Sequence, residues 1–337
     1  MAGEHCKTDL SIVTYNMHGF YQGVPTIEVL ISENNPDIFM LQEHWLTPMN
    51  LCLFEKFFGS YFAFGSSALV NCVESGMLRG RPFGGVMALI NKNLRKNTTT
   101  IHCDERLVVI KVVNYLLINV YFPCSGTANR SIICENLLSD IEMWRDRYGD
   151  CECVIAGDFN CDLDGSDAVS LMVQNFIHDG SFTRCGDIFP EQKVATYVNE
   201  ALRQQSCIDY VLTSAASAID SFVVMDPSIN FSDHLPITAK LVTNHGLNVS
   251  DNIGKISDND NIQWQMRWDK ADKTGYYYYT GNHLTPLVDV VSNILQTCAV
   301  SVPPDVVDCI QHTYDTVVSI LKTASSIFVP KVKKGFF

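Results

Sequence analysis

The chain has 337 residues, 47% hydrophobic and 18% charged, with a formal net charge of −13. This is the composition of a globular protein that can bury a sizeable core without metal or disulfide staples. The acidic balance speaks against an extended, Lys/Arg-rich nucleic-acid footprint, though a local site can still carry a cation.

Thirteen cysteines form no CxxC pair, and their spacings to histidine match no zinc finger. The N-terminal stretch MAGEHCKTDL lacks the basic and apolar parts of a signal peptide. No run approaches the ~20 apolar residues of a membrane helix. Reduced thiols, a nuclear or cytoplasmic location and no membrane contact are therefore expected.

In chain order, short β-branched runs predict strands at 11–15 (SIVTY), 38–41 (IFML), 85–90 (GVMALI), 107–113 (LVVIKVV), 115–122 (YLLINVYF), 153–157 (CVIAG), 207–213 (CIDYVLT) and 237–242 (ITAKLV). Helices are expected at 25–34, opening on Pro25 and Thr26, at 131–147 and at 167–178. In the second, Ile133, Leu137, Ile141 and Trp144 share one face. Strands outnumber helices in irregular order, which points to two packed mixed sheets with flanking helices rather than a regular parallel series.

The composition changes after residue 243. Residues 244–262 are rich in Asn, Asp and Gly and read as a linker. Residues 263–337 begin with WQMRWDKADKTGYYYYTGN, as numbered from Trp264, and continue with helical runs near 284–299 and 304–324. In the second run Val306, Ile310, Tyr314, Val317 and Leu321 share a face. The acidic excess belongs to the first part: up to residue 240 there are 28 acids and 16 bases. No internal repeat is present.

Polar residues recur where apolar runs end. Asn16 follows SIVTY, Glu43 follows IFMLQ, Tyr121 ends LLINVY, Asp158 and Asn160 follow CVIAG, and Asp233 and His234 precede LPITA. Asp209 interrupts CIDYVL, and a carboxylate inside an apolar strand needs a partner. Each position is ordinary alone. Together they supply hard oxygen ligands suited to Mg²⁺ or Mn²⁺, a proton acceptor, a histidine and neutral hydrogen-bonding groups, the inventory of metal-assisted phosphoester hydrolysis.

The ordered set YNMHG, LQEHWL, NVYFP, GDFNCDLDG, SCIDYVLTS and SDHLPI, over residues 8–243, resembles the endonuclease/exonuclease/phosphatase (DNase I-like) superfamily. The resemblance implies an α/β (α+β) fold, a four-layered sandwich with the site at one edge of the paired sheets, followed by a small helical extension. It implies metal positions at Glu43, Asn16 and Asp233. It places Asp158 by the nucleophilic water, Asn160 and Tyr121 on the phosphate, and His234 on the scissile phosphate with Asp209 as its acid. Thr196 and Ser206 fall where retroelement nucleases carry small hydroxyl residues and are expected to bind substrate. Within the superfamily, no PAWCDR-like phosphatase element is present, and His18 stands where abasic-site nucleases have an aspartate. GDFNCDLDG, SCIDYVL and SDHLPI, with the tail segments, look most like the endonuclease domain of non-LTR (LINE-type) retrotransposons and its connector to the reverse transcriptase; no YxDD polymerase motif follows.

The expectation is a Mg²⁺-dependent endonuclease that nicks double-stranded DNA to leave 3′-OH ends, needing no obligate protein partner. Arg79 and Arg81, in the loop 65–84, are candidate DNA contacts. Two other readings stay open: a phosphatase or phosphodiesterase acting on a small or lipid phosphoester, and a catalytically inert retroelement-derived interaction module.

Overall fold

The computed structural model describes residues 7–70, 82–192, 194–199, 203–247, 264–266, 270–300 and 306–333. The chain divides into two compact units, Met1–Asn252 and Ile253–Phe337. Arg79 and Arg81 lie outside the described residues, as does most of the expected linker.

The first unit is built on two six-stranded sheets. One contains β1 (Lys7–Asn16), β2 (Ile38–Gln42), β3 (Tyr61–Ser66), β4 (Val86–Asn91), β13 (Ile219–Val224) and β14 (Ile237–Leu247), in the order β13-β14-β1-β2-β4-β3. The other contains β5 (Thr98–Cys103), β6 (Leu107–Val112), β7 (Tyr115–Tyr121), β8 (Glu152–Asp158), β9 (Thr183–Arg184) and β12 (Asp209–Thr213), in the order β5-β6-β7-β8-β12-β9. A small antiparallel pair, β10 (Tyr197–Asn199) and β11 (Gln204–Ser206), lies in sequence between β9 and β12.

Alternation along the strands sorts the apolar side chains into layers. Leu10 and Ile12 of β1, Ile38 and Met40 of β2, Val108 and Ile110 of β6, and Val154 and Ala156 of β8 fill the core between the sheets. Their neighbours point outward. Val13, Tyr15, Phe39 and Leu41 pack with Ile27 and Leu30 of helix α1 (Phe20–Asn34) and Phe54 of α2 (Leu53–Phe57). Leu116, Ile118, Cys153 and Ile155 pack with Leu137 and Ile141 of α3 (Arg130–Arg147) and Val173 and Phe176 of α4 (Ala168–Asp179). A short α5 (Cys185–Ile188) follows β9. The order helix, sheet, sheet, helix is the four-layered sandwich expected from the sequence.

Helix α1 begins at Phe20, five residues before the Pro25 start read from the sequence. The extra turn is fixed from outside: Gly19 N–H donates to Glu43 O (2.8 Å), Phe20 N–H to His44 O (2.9 Å), and the Phe20 ring is buried edge-on to Phe54. Strand β14 runs to Leu247, past the boundary expected at 243, because its end is still paired with β1 at Lys7.

In the second unit, helices α6 (Lys273–Val300) and α7 (Val306–Phe328) pair, and β15 (Trp264–Met266) pairs antiparallel with β16 (Lys331–Lys333). The run Tyr276–Tyr279 lies inside α6. Tyr279 stacks on His283 and approaches Phe328, whereas Tyr277 and Tyr278 are exposed.

Candidate active site

Strand direction brings the polar residues together. Strands β1 and β2 are parallel, with Asn16 beside Gln42, and β7 and β8 are parallel, with Tyr121 beside Asp158. Strand β12 runs the other way and starts at Asp209, opposite Asp158. Strand β14 starts at Ile237, opposite Thr14, so the Ser232–His234 loop before it emerges at the same edge. Six separate stretches of chain therefore end at one rim of the two sheets.

Asn16 is buried and forms the hub. Its amide nitrogen donates to Glu43 Oε1 (3.2 Å) and Asp158 Oδ2 (2.9 Å), and its oxygen accepts from His18 N–H (3.0 Å). Glu43 also accepts from Tyr121 O–H at Oε1 (2.8 Å) and from Trp45 Nε1–H at Oε2 (2.9 Å). Asp158 accepts from Asn160 N–H (2.7 Å) and from the Asn160 amide (3.0 Å), which also donates to Phe122 O (2.9 Å).

His234 and Asp209 form a buried pair. His234 Nδ1 lies 2.9 Å and 3.1 Å from the two Asp209 carboxylate oxygens, which directs Nε2 away from Asp209. The Thr196 hydroxyl donates to Asp209 Oδ2 (2.7 Å) and accepts from the Ile208 and Asp209 backbone N–H groups. Ser206 enters through its backbone, accepting from Thr196 N–H (3.0 Å). The Ser232 hydroxyl donates to Asn16 O (2.8 Å) and accepts from His234 N–H (3.1 Å), tying the histidine loop to β1.

Asp233 carries a contact that sequence reasoning missed. Its Oδ1 lies 2.7 Å from His18 Nδ1 and 4.0 Å from His234 Nε2, so one carboxylate stands between two imidazoles. Trp45 was missed as well, although its ring lies edge-on to His18 with centroids 4.8 Å apart. The signal was present in the spacing: both residues sit inside the quoted motifs YNMHG and LQEHWL.

The backbone is held in unusual conformations here. His18 (φ 48°), Glu43 (φ 53°), Trp45 (φ 56°) and Asn160 (φ 49°) are left-handed non-glycine residues. Such residues are uncommon and cluster where the fold over-determines a functional geometry. Arg130 supports one of them by donating to Asn160 O (2.7 Å) and Pro123 O (3.0 Å). At Gly157, φ is +151° and a Cβ would stand 2.0 Å from Val120 O; only glycine lets β8 approach β7 so closely just before Asp158.

The electrostatics follow from burial and crowding. Burial pushes the Asp158 carboxyl up to about 7, the Asp209 charge adds to this, and His234, Asn16 and Asn160 partly offset it. Burial alone would depress the His234 imidazole, but Asp209, then Asp158 and Asp233, raise it to about 10. Burial and the Glu43 charge drive the Tyr121 hydroxyl far above its ordinary range, so it stays a donor.

Asp158, Asp209 and His234 each offer a ligand atom, all within 4.8 Å of one another, and all three are buried. Among the described residues, the ionisable cations that meet Glu43, Asp158, Asp209 and Asp233 are His18 and His234 alone. Four carboxylates against two imidazoles leave a negative excess that a divalent cation would offset, and hard carboxylate oxygens are the donors such cations prefer. The donor set fits a divalent metal.

The Endonuclease/Exonuclease/phosphatase family model matches residues 13–234. Solved structures share the fold at low identity. A 3′ phosphatase, NExo (D146N), from Neisseria bound to product DNA hairpin is 19% identical, covers 69% of this chain and 99% of its own, and has a TM-score of 0.54. The AP endonuclease LMAP from Leishmania major is 14% identical over 70% of this chain and 88% of its own, with a TM-score of 0.55. The endonuclease domain of TRAS1, a telomere-specific non-LTR retrotransposon, is 16% identical over 69% of this chain and 98% of its own, with a TM-score of 0.53. No curated protein matches the sequence.

Proposed function

From the premise that the chain belongs to the endonuclease/exonuclease/phosphatase family, we propose that it is a Mg²⁺-dependent endonuclease that nicks DNA and leaves 3′-OH and 5′-phosphate ends. The family fold and the Asp158–Asp209–His234 cluster support metal-dependent phosphoester hydrolysis. The observation that carries the reading is the convergence of Asn16, Glu43, Tyr121, Asp158, Asp209 and His234 at the sheet edge, in two hydrogen-bonded groups joined through Ser232.

Glu43 and Asn16, with Asp233 nearby, are the residues that would hold the metal. The bound cation would neutralise charge building on the phosphoryl oxygens. Three donors on the Glu43 carboxylate fix its orientation before any cation arrives. His234, with Nδ1 held by Asp209, presents Nε2–H to a phosphoryl oxygen. Thr196 is buried and bound to Asp209, so its role is to position that acid rather than to touch substrate. Asp158, its affinity for a proton raised by burial, accepts one from the attacking water. The Asn160 amide and backbone N–H fix the orientation of Asp158. As the water oxygen bonds to phosphorus, the P–O3′ bond breaks and the 3′ oxygen leaves with the bonding electron pair, taking a proton from solvent water to become the hydroxyl.

DNA as substrate and a retroelement origin rest on sequence motifs and on likeness, at similar distance, to a 3′ phosphatase bound to a DNA hairpin, an AP endonuclease and the TRAS1 endonuclease domain. Residues 263–337 resemble in sequence the segment that links nuclease and reverse transcriptase in such elements, which agrees with this origin. A supercoiled-plasmid nicking assay in Mg²⁺ tests the reading: wild type should convert plasmid to open circles, and chelator should stop it. Turnover of small phosphoesters with no action on plasmid would replace it with a phosphatase reading, which the net charge of −13 favours over a nuclease.

A further inference from the structure

Exposed aromatic rings in the first unit are few, and they are not spread evenly. Among its described residues they are Tyr21, Phe57, Phe83 and Phe231. Tyr21 and Phe57 both rest edge-on against Phe20 and are accounted for by that packing. Phe83 and Phe231, 56% and 64% exposed, have no such ring partner among the described residues. The outer helices α3 and α4 show only aliphatic or Met side chains, Ile132, Met143 and Leu171, among their exposed large apolar residues.

Both phenylalanines adjoin, in sequence, residues that are tied to the site. Phe231 lies between two anchored residues. Asn230 accepts from Tyr15 O–H (2.8 Å) and donates to His234 O (2.8 Å), while Ser232 donates to Asn16 O (2.8 Å). The chain is thus pinned on both sides of a ring left in solvent. Phe83 precedes Gly84, whose carbonyl accepts from Trp45 N–H (3.0 Å) and whose Cα side faces the Tyr121 ring, a built Cβ lying 3.7 Å from Cε1. The bonded chain Ser232–Asn16–Glu43–Tyr121 joins the two places, with one phenylalanine beyond each end.

We infer that Phe83 and Phe231 are substrate-binding residues that stack on nucleobases flanking the scissile phosphate. The inference rests on the nuclease reading and deepens it. A ring in water beside a phosphate site, on an immobilised backbone, suits a base face, because stacking tolerates any sequence and needs no positive charge. With a net charge of −13, binding cannot draw heavily on counterion release, so stacking has to supply affinity that basic residues supply elsewhere.

Binding is read without turnover in a His234→Ala background with Mg²⁺, using a set of duplex oligonucleotides that carry 2-aminopurine at successive positions along one strand. The parent should alter 2-aminopurine fluorescence on binding, with a shallow dependence of affinity on salt. Adding Phe83→Ala and Phe231→Ala should abolish the fluorescence change and weaken binding roughly 10- to 100-fold. Both side chains are exposed, so the thermal midpoint should stay unchanged, which separates lost contact from lost fold. Equal affinity and equal fluorescence change in the parent and the double substitution would overturn the inference while leaving plasmid nicking by wild type intact. Binding of wild type to phosphatidylcholine/phosphatidylserine vesicles that the double substitution abolishes, with DNA binding unaffected, would also overturn it. Failure of wild type to nick plasmid removes the nuclease reading, and the fluorescence arm then decides the stacking contact by itself.

Discussion

At the scale of single residues, the site is a set of side chains that fix each other. Asn16 bridges two carboxylates, Thr196 and His234 hold Asp209, and Tyr121 and Trp45 hold Glu43. Removing a donor should therefore damage rate more than stability. Tyr121→Phe deletes one bond to Glu43 and should lower kcat by about 10²-fold, in line with losing one preorganised donor, with urea stability changed by only about 1 kcal/mol. Single-turnover nicking and urea titration read the two effects. His44 gives a pH prediction. It is buried, accepts Leu46 N–H at Nδ1 (3.0 Å) and so must donate from Nε2 to Ser66 O (3.1 Å), which makes it neutral. Burial lowers its pKa from 6.5 to about 4. The unfolded chain therefore binds the extra proton first. Stability from this group is complete above about pH 6.5 and is lost as pH falls toward 4, on the order of 3 kcal/mol in total. Urea midpoints measured in chelator should fall over that window, and His44→Gln should flatten that part of the curve. Most of these residues were legible because a polar side chain at the end of an apolar run is conspicuous. The His18–Asp233 pair was not: each residue sits in a recognisable motif, but the two lie 215 positions apart and only the fold joins them.

At the scale of elements, the strands with dense β-branched runs were readable, since β1, β2, β4, β6, β7, β8, β12 and β14 all occur close to the predicted spans. Strands β3, β5 and β13 were not. YFAFGS, TTTIHC and IDSFVV are less apolar and more exposed, and tertiary pairing rather than sequence preference makes them strands. Parallel pairing of β1 with β2 and of β7 with β8 is what places the chemistry at one edge. Gly157 is the tightest point of that arrangement. Gly157→Ala must accommodate a Cβ 2.0 Å from a backbone carbonyl, so it should destabilise the protein by roughly 2–4 kcal/mol and displace Asp158. Denaturant titration should show the loss, and nicking should fall even where the variant remains folded.

At the scale of the whole molecule, the chain is two compact units. The first carries its own core on three sides of two sheets, and the candidate site lies wholly within it. Residues 1–252 produced alone should fold with one cooperative transition and keep the nicking activity of the full chain. The composition change after residue 243 was legible in the sequence. The long α6 was read too short, because Gly275, Gly281 and Pro286 interrupt the helical pattern that the structure continues through them. Net acidity bears on the whole molecule as well, since it limits nonspecific attraction to DNA and leaves the site to supply contact through metal and side chains.

The most direct test of the central claim is nicking of supercoiled plasmid in Mg²⁺ by wild type and by His234→Ala at equal concentration. Loss of the Asp209-held imidazole should slow nicking by about 10²–10³-fold while the thermal midpoint stays within a few degrees. Equal nicking by the two proteins would contradict the assignment of the sheet-edge cluster as the hydrolytic site.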